Sequence, residues 1–432
     1  MATQYTTSLM SSIAKEIVRN DIRPTFQQNH EEFSMLKSLT DPSGINGRGY
    51  KIPVYLQPET SQVWGSEGFT HPEGSTDVDN HMLAYIARYA KGFEFSGDML
   101  AFDKMSSQHM LKIKDRFRRL KKNIFVEFSK LFYGDGSGVI GVVTAADTTT
   151  VTLANTEANA DLYPWATFGT GLLEKGQLVD IYANDETTFR GTFTVNALTS
   201  GTVFTAASGE NPSGSGVVDG DIVVPENSLN AAFTGIHAHC VQTTGDYQSL
   251  SRTTYPQMAP RVSDQSIQPL SWALMYFMEE ISVFRLDSDE VDSVNKEVVI
   301  MTSQCQIAKA RQIGVNQVRF QSENGDFMPG FKGVGSALGG SWKHFTWCPE
   351  HAVYYVHKPS LLLINAQELD FTNYGSNGDM VWATTTSGGG RRDAAYGSIS
   401  WKGQLIGLDP RKQGAMVNLE MSGPRRADYV SR

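Results

Sequence analysis

The stretch LKIKDRFRRLKKNIFVEFSKLFYGDGSG, Leu111–Gly138, follows Met110 and continues its apolar series at Ile113, Phe117, Leu120, Ile124, Phe128 and Leu131, at steps of three and four. That spacing marks one face of a helix. Asp103 or Ser106 is available as a cap, and Gly134 as a stop. From Asp103 to Tyr133 the helix would measure about 45 Å at 1.5 Å per residue, enough to span a domain. The same stretch places Lys112, Lys114, Arg116, Arg118, Arg119, Lys121 and Lys122 within eleven positions, with Asp115 as the one acid among them. Charge runs on helices are usually a solvated face; the alternative is a surface for phosphate. Nothing in the pattern supports sequence-specific readout.

Outward from this helix the chain is acidic. Its 432 residues carry a formal charge of -9, which argues against a dedicated DNA-binding module and leaves room for a local basic patch. The length exceeds what one core usually holds, so two or three domains, or one body with large excursions, are expected. A hydrophobic fraction of 40%, a charged fraction of 19% and 40 glycines describe a globular, turn-rich chain of the α+β class. Cys240, Cys348 and Cys305 are odd in number and far apart, without a CxxC pair, so neither a disulfide framework nor a zinc module is expected. The first twenty residues lack the basic start and unbroken apolar run of a signal peptide and read as a short amphipathic helix. No window approaches the roughly 20 apolar residues of a membrane span.

Residues 1–45 read as an arm: Leu9, Ile13 and Ile17 share a helical face, Pro24 breaks it, and DPSGINGRG closes it. YKIPVYL (50–56) and HMLAYIARYAKGFEF (81–95) read as two limbs of a long hairpin with a polar tip. Between Val139 and Asn227 lysine and arginine nearly vanish. There TTTVTL, QLVDIYA, TFRGTFTVN, TVFTA and DIVV follow at short intervals, the pattern of a small antiparallel sandwich or barrel. Beyond it, LSWALMYFMEEISVF (270–284) and TSQCQIAKARQIG (302–314) read as helices, the second capped by Thr302 and stopped by Gly314, around a buried strand KEVVIM. HAVYYVH, a short helix PSLLLINAQ and the strands GSISWKGQLIGL and GAMVNLEM complete an α/β layer.

Four segments contain chemistry-bearing residues. In HAHC, a strand would put His237 and His239 on one face, but no third ligand has metal-site spacing, and ordinary strand residues are the plainer reading. WCPEH holds a thiol, Cys348, and an imidazole, His351, without an oxyanion-hole signature, so a buried cysteine at a strand end is expected. DSDEVD (Asp287–Asp292) lacks the glycine and the twelfth-position acid of a calcium loop, and SGGGRRD (Ser387–Asp393) lacks phosphate-loop spacing. No catalytic residue, metal or cofactor is assigned.

The order of arm, polar-tipped excursion, long helix and mixed α/β body resembles the major capsid proteins of tailed bacteriophages, with the Hong Kong 97 type of fold. FSGDMLAFDK before the helix, LFYGDGSGVIGVV after it and GDYQSLSRTTYPQMAPRV beyond the β region carry the likeness. It implies an N-arm (1–45), an E-loop hairpin (46–97), a peripheral domain with the spine helix (98–138), an inserted β domain (139–230), an A-domain (231–375) and a return to peripheral strands (376–432). It also implies a non-enzymatic icosahedral head of hexamers and pentamers, built with a scaffolding protein, a portal and in some members a cement protein. Such a head encloses double-stranded DNA and is assembled in bacterial cytoplasm, without a membrane. Some members crosslink through an E-loop lysine; Gln57–Asn80 contains none, so that chemistry is not carried over. A β-rich adhesin, a shell of the same fold around enzymes, and a metal- or thiol-dependent enzyme remain as alternatives.

Overall fold

The computed structural model describes residues 31–39, 45–46, 49–57, 78–96, 107–155, 163–271, 273–275, 278, 298–318, 341–371, 381–384 and 391–421. Short helix α1 (Glu31–Ser34) leads into β1 (Lys37–Leu39), then β2 (Ile45–Asn46) and β3 (Gly49–Gln57). β3 pairs antiparallel with β4 (Val78–Tyr85) in the register Ile52↔Met82. The second limb does not continue as one strand. It breaks at Ile86, and β5 (Ala87–Ser96) leaves β3 to pair with a later strand. The hairpin limb expected over 81–95 is thus shared between two sheets.

Helix α2 (Ser107–Leu131) follows; Asp103 and Ser106 lie outside the described residues. Its 25 residues amount to about 37 Å. Ile124, Phe125 and Phe128 are buried, while Arg118, Arg119, Lys122 and Asn123 are exposed. Where its side chains are described, the apolar stripe is the packed face, and Arg118, Arg119 and Lys122 lie on the exposed one.

The next strands are β6 (Gly141–Ala146), β7 (Thr150–Leu153), β8 (Leu178–Tyr182), β9 (Phe189–Leu198), β10 (Val203–Ala206) and β11 (Ile222–Pro225). They close into an antiparallel barrel in the order β10-β7-β6-β11-β8-β9. Alternate residues of β7 and β10 point inward, so Val151, Leu153, Phe204 and their neighbours fill the interior and no strand edge is left open. The chain enters and leaves at one place: Asn230 N donates to Ser137 O at 2.8 Å, and Ile236 N to Phe132 O at 2.7 Å. Glycines make this close approach possible. A Cβ on Gly235 would lie 2.6 Å from Gly134 O, and Gly138 has φ of +81° with its Cβ position 2.6 Å from Ser228 O.

After α3 (Ile236–Cys240), β12 (Asp246–Tyr247) and β13 (Leu250–Ser251) make a tight hairpin. Strands β14 (Arg261–Gln268), β15 (Val298–Thr302), β16 (Ser341–His344), β17 (Val353–His357) and β21 (Gly414–Leu419) form a mixed sheet in the order β14-β21-β17-β15-β16. Helix α4 (Gln304–Val318) links two of its strands. It starts after Ser303, whose Oγ accepts from Gln306 N at 3.4 Å. Thr302, expected as the cap, belongs to β15, and the helix runs through Gly314 to Val318. Of the helix expected over 270–284, Leu270 and Ser271 are not helical, Ala273–Met275 and Met278 are, and the rest lies outside the described residues.

PSLLLINAQ is not a helix. Lys358–Ser360 form one 3-10 turn and Leu361–Phe371 form β18, whose first residues are buried on both faces. A short run apolar on every side has no period that separates strand from buried helix. β18 pairs with β1 and with the long β20 (Arg391–Gly407), and β19 (Val381–Thr384) shares that edge of β20. β5 takes the opposite edge, in register from Ala394↔Ser96 to Gly403↔Ala87.

The main core lies where α2 crosses this sheet. Phe128 meets Trp401 edge-on at 4.9 Å between centroids, stacks on Phe233 at 5.7 Å, and touches Phe33 at 6.4 Å.

Candidate functional site

Of the seven basic residues, the side chains of Lys112, Lys114 and Arg116 lie outside the described residues. Arg118, Arg119 and Lys122 are exposed on one face of α2; Lys121 is half-buried, its ammonium 6.0 Å from the Phe125 ring centroid. Where described, this is an exposed basic face of the helix. About two turns further along the helix the chemistry changes. Lys130 is buried, donates to Leu172 O at 2.8 Å, pairs with Glu174 at 3.3 Å and lies 5.1 Å from the Trp347 ring. It ties α2 to the barrel. The sequence reading missed it because it stands outside the basic cluster.

Across from α2, Tyr89 of β5 donates to Glu127 Oε2 at 2.5 Å, and Lys91 forms an ion pair with the same carboxylate. Burial, and then the Glu127 charge, push the Tyr89 phenol far up. Lys91 is thereby occupied in holding β5 to α2. A groove of about 840 Å³ between β5, α2 and the barrel is lined by this cluster together with Lys130, Glu174 and Trp401.

His237 and His239 do not share a strand face. HAHC is helix α3, all of it buried, and two positions apart on a helix point roughly 200° apart. His237 packs on Trp165 with centroids 4.5 Å apart, whereas His239 Nδ1 and Tyr247 OH share a hydrogen bond of 2.7 Å. Burial lowers both to about 3, helped at His237 by His351 and at His239 by Arg252, so both are neutral at physiological pH. Cys240 and Cys348 are buried, and burial pushes both thiols up, the reverse of a nucleophile's environment. Among the described residues no cluster of metal-ligating side chains occurs. Asp287–Asp292 lies outside them. Of SGGGRRD, Arg391, Arg392 and Asp393 belong to strand β20, and residues 387–390 lie outside the described residues.

Among the described residues no helix is long and apolar enough to cross a membrane. No family model matches the chain, and no curated protein matches it. In backbone it is similar to the capsid asymmetric unit of cyanophage A-1(L), at 13% identity over 90% of this chain and 92% of that one, with a TM-score of 0.49. It is also similar to the capsid of Myoviridae phage XM1, at 7% identity over 90% and 92%, with a TM-score of 0.41. A third is the satellite phage P4 procapsid that includes the size determination protein, at 9% identity over 92% and 98%, with a TM-score of 0.38.

Proposed function

We propose that this chain is a structural major capsid protein of a phage head, with a Hong Kong 97-like subunit. The observation that carries it is the β3–β4 ribbon. Its base packs through Ile52, Met82 and Ala84, while Lys51, Pro53, Asn80, His81 and Tyr85 face solvent. β2 adds a third strand only at the base, through Ile45↔Tyr50 and Asn46↔Gly49. Beyond it β3 and β4 run on as a pair to Gln57↔Val78. A two-stranded ribbon is marginal on its own in water, so this extension fits a chain whose neighbours cover it in a closed lattice.

In this reading residues 1–45 are the N-arm, 46–97 the E-loop and α2 the spine helix. The barrel (139–230) is an inserted domain, 231–375 the A-domain, and 376–432, with 98–138, the peripheral domain. Hexamers and pentamers of the chain assemble with a scaffolding protein and a portal, and either subunit contacts or a cement protein supply the stability that no lysine crosslink provides. The basic face of α2 contacts neighbouring subunits or packaged double-stranded DNA through weak, salt-sensitive attraction repeated over many copies. Assembly takes place in the host cytoplasm.

Negative-stain microscopy of the expressed chain, alone and with its co-expressed scaffold, tests this. Closed shells or capsomers are expected. A compact monomer at high concentration in both preparations would overturn the reading.

A further inference from the structure

The outer edge of β4 is closed at Leu83, has its N–H taken at His81, and is open at Tyr85. Leu83 N donates to Gln248 O at 2.8 Å, and Ser249 Oγ donates to Leu83 O at 3.3 Å. Leu83 therefore turns its backbone groups away from β3. Antiparallel pairing alternates every two residues, so those of His81 and Tyr85 point the same way. His81 N is taken by its neighbour Asn80 Oδ1 at 2.8 Å. Among the described hydrogen bonds, none occupies the outward N–H and C=O of Tyr85, whose side chain is 62% exposed.

The turn that covers Leu83 is itself unusual. Gln248 and Ser249 take φ of 48° and 69°, left-handed values that Asn and Gly adopt more readily. Both amide atoms of Gln248 are shut from solvent without a hydrogen-bond partner, a cost of about 1–3 kcal/mol per group. Tyr85 and Gln248 line one groove of about 1180 Å³ that runs between β4, the 135–137 turn and β20. An open strand rung, an exposed aromatic and a primary amide with one donor side and one acceptor side suit an extended polypeptide, which offers alternating N–H and C=O.

The groove wall carries Asp135, Glu186 and Asp246 against Arg88 and Lys402, an excess of carboxylate. Of the stretches outside the described residues, 422–432 (SGPRRADYVSR) has the largest excess of positive charge, three arginines to one aspartate. Eleven extended residues reach about 35 Å. We propose that this groove binds residues 422–432 of a second copy as an added strand at Tyr85, with a rotamer change at Gln248 pairing its amide to the incoming backbone. The second copy rests on the shell reading; the groove's preference for a basic extended peptide does not.

A photo-crosslinking residue, p-benzoylphenylalanine, placed at Tyr85 keeps an aromatic ring at the rung. Mixed nitrogen-14 and nitrogen-15 full-length chains then reveal by mass spectrometry what it touches. Crosslinks to 422–432 in mixed-isotope pairs are expected. Gln248→Met should cut their yield about tenfold, the loss of one well-made hydrogen-bond pair. The same change should raise the melting temperature, because an unpartnered buried amide is replaced by an apolar chain of similar length. Crosslinks elsewhere, within one copy only, or none, would overturn the proposal, as would a lower melting temperature for Gln248→Met. Shells that form without these crosslinks would sink the groove and leave the shell reading standing; crosslinked pairs that never form shells would do the reverse.

Discussion

Lys130, in the last turn of α2, donates to the main-chain carbonyl of Leu172 in the barrel, 2.8 Å away. It is the buried end of a helix whose Arg118, Arg119 and Lys122 are exposed. Replacing it by methionine keeps the packed stem and removes the charged donor, leaving Leu172 O with one partner fewer. A loss of about 2 kcal/mol is expected, in the range for hydrogen bonds to charged groups, read as a lower urea midpoint at unchanged slope.

Phe128 touches Phe33, Tyr89, Phe233 and Trp401. Phe128→Ala opens a cavity among rings from four separate parts of the chain, and a loss of roughly 3–5 kcal/mol is expected. Denaturant unfolding measures it; a loss under 1 kcal/mol would mean that the helix is not seated on this sheet.

Stability falls on acidification. The folded values of His237 and His239 lie near 3, below the unfolded 6.5, so the unfolded state binds more protons between those limits. Their contribution is complete above pH 6.5, lost progressively below it, and amounts to about 2 kcal/mol per imidazole by pH 5. Chemical denaturation at pH 7.5 and pH 5 reads the difference, and His237→Gln should flatten the dependence.

Arg118, Arg119, Lys121 and Lys122 changed together to glutamine should leave folding almost unchanged, within about 0.5 kcal/mol per site for exposed positions. DNA packaging or shell assembly should fall instead. The residual affinity of isolated chains for duplex DNA should be weak, indifferent to sequence, and steeper in salt for the wild type than for the variant. A tight, sequence-selective complex between one subunit and a short duplex would contradict this.

Much of the fold is legible wherever one periodicity dominates. The stripe from Leu120 to Phe128 marks the buried face of α2, and the alternation in TTVTL and TVFTA marks strands that close into the barrel. The failures fall where local pattern carries no information. Leu361–Ile364 is apolar on every side, so nothing distinguishes strand from helix. His237 and His239 alternate as a strand would, yet the packing of α3 against Trp165 and β17 makes a helical turn. The break at Ile86 has no local sign because β20, three hundred residues later, creates it. The basic surface is visible as composition, whereas Lys130 acquires its role from Leu172, Glu174 and Trp347, which only tertiary structure brings to it.

The aromatic core under α2 sets an order of events in synthesis. The barrel's pairings are confined to residues 141–225, so their loops are short to close and they can form while the ribosome is still extending the chain. Phe128 must wait for Trp401, and until then Phe33, Phe128 and Phe233 have no sheet to cover them. The barrel's own interior can therefore form early, whereas its Ile222 and Val224, which belong to the same core cluster as Phe128 and Trp401, stay uncovered until β20 is made.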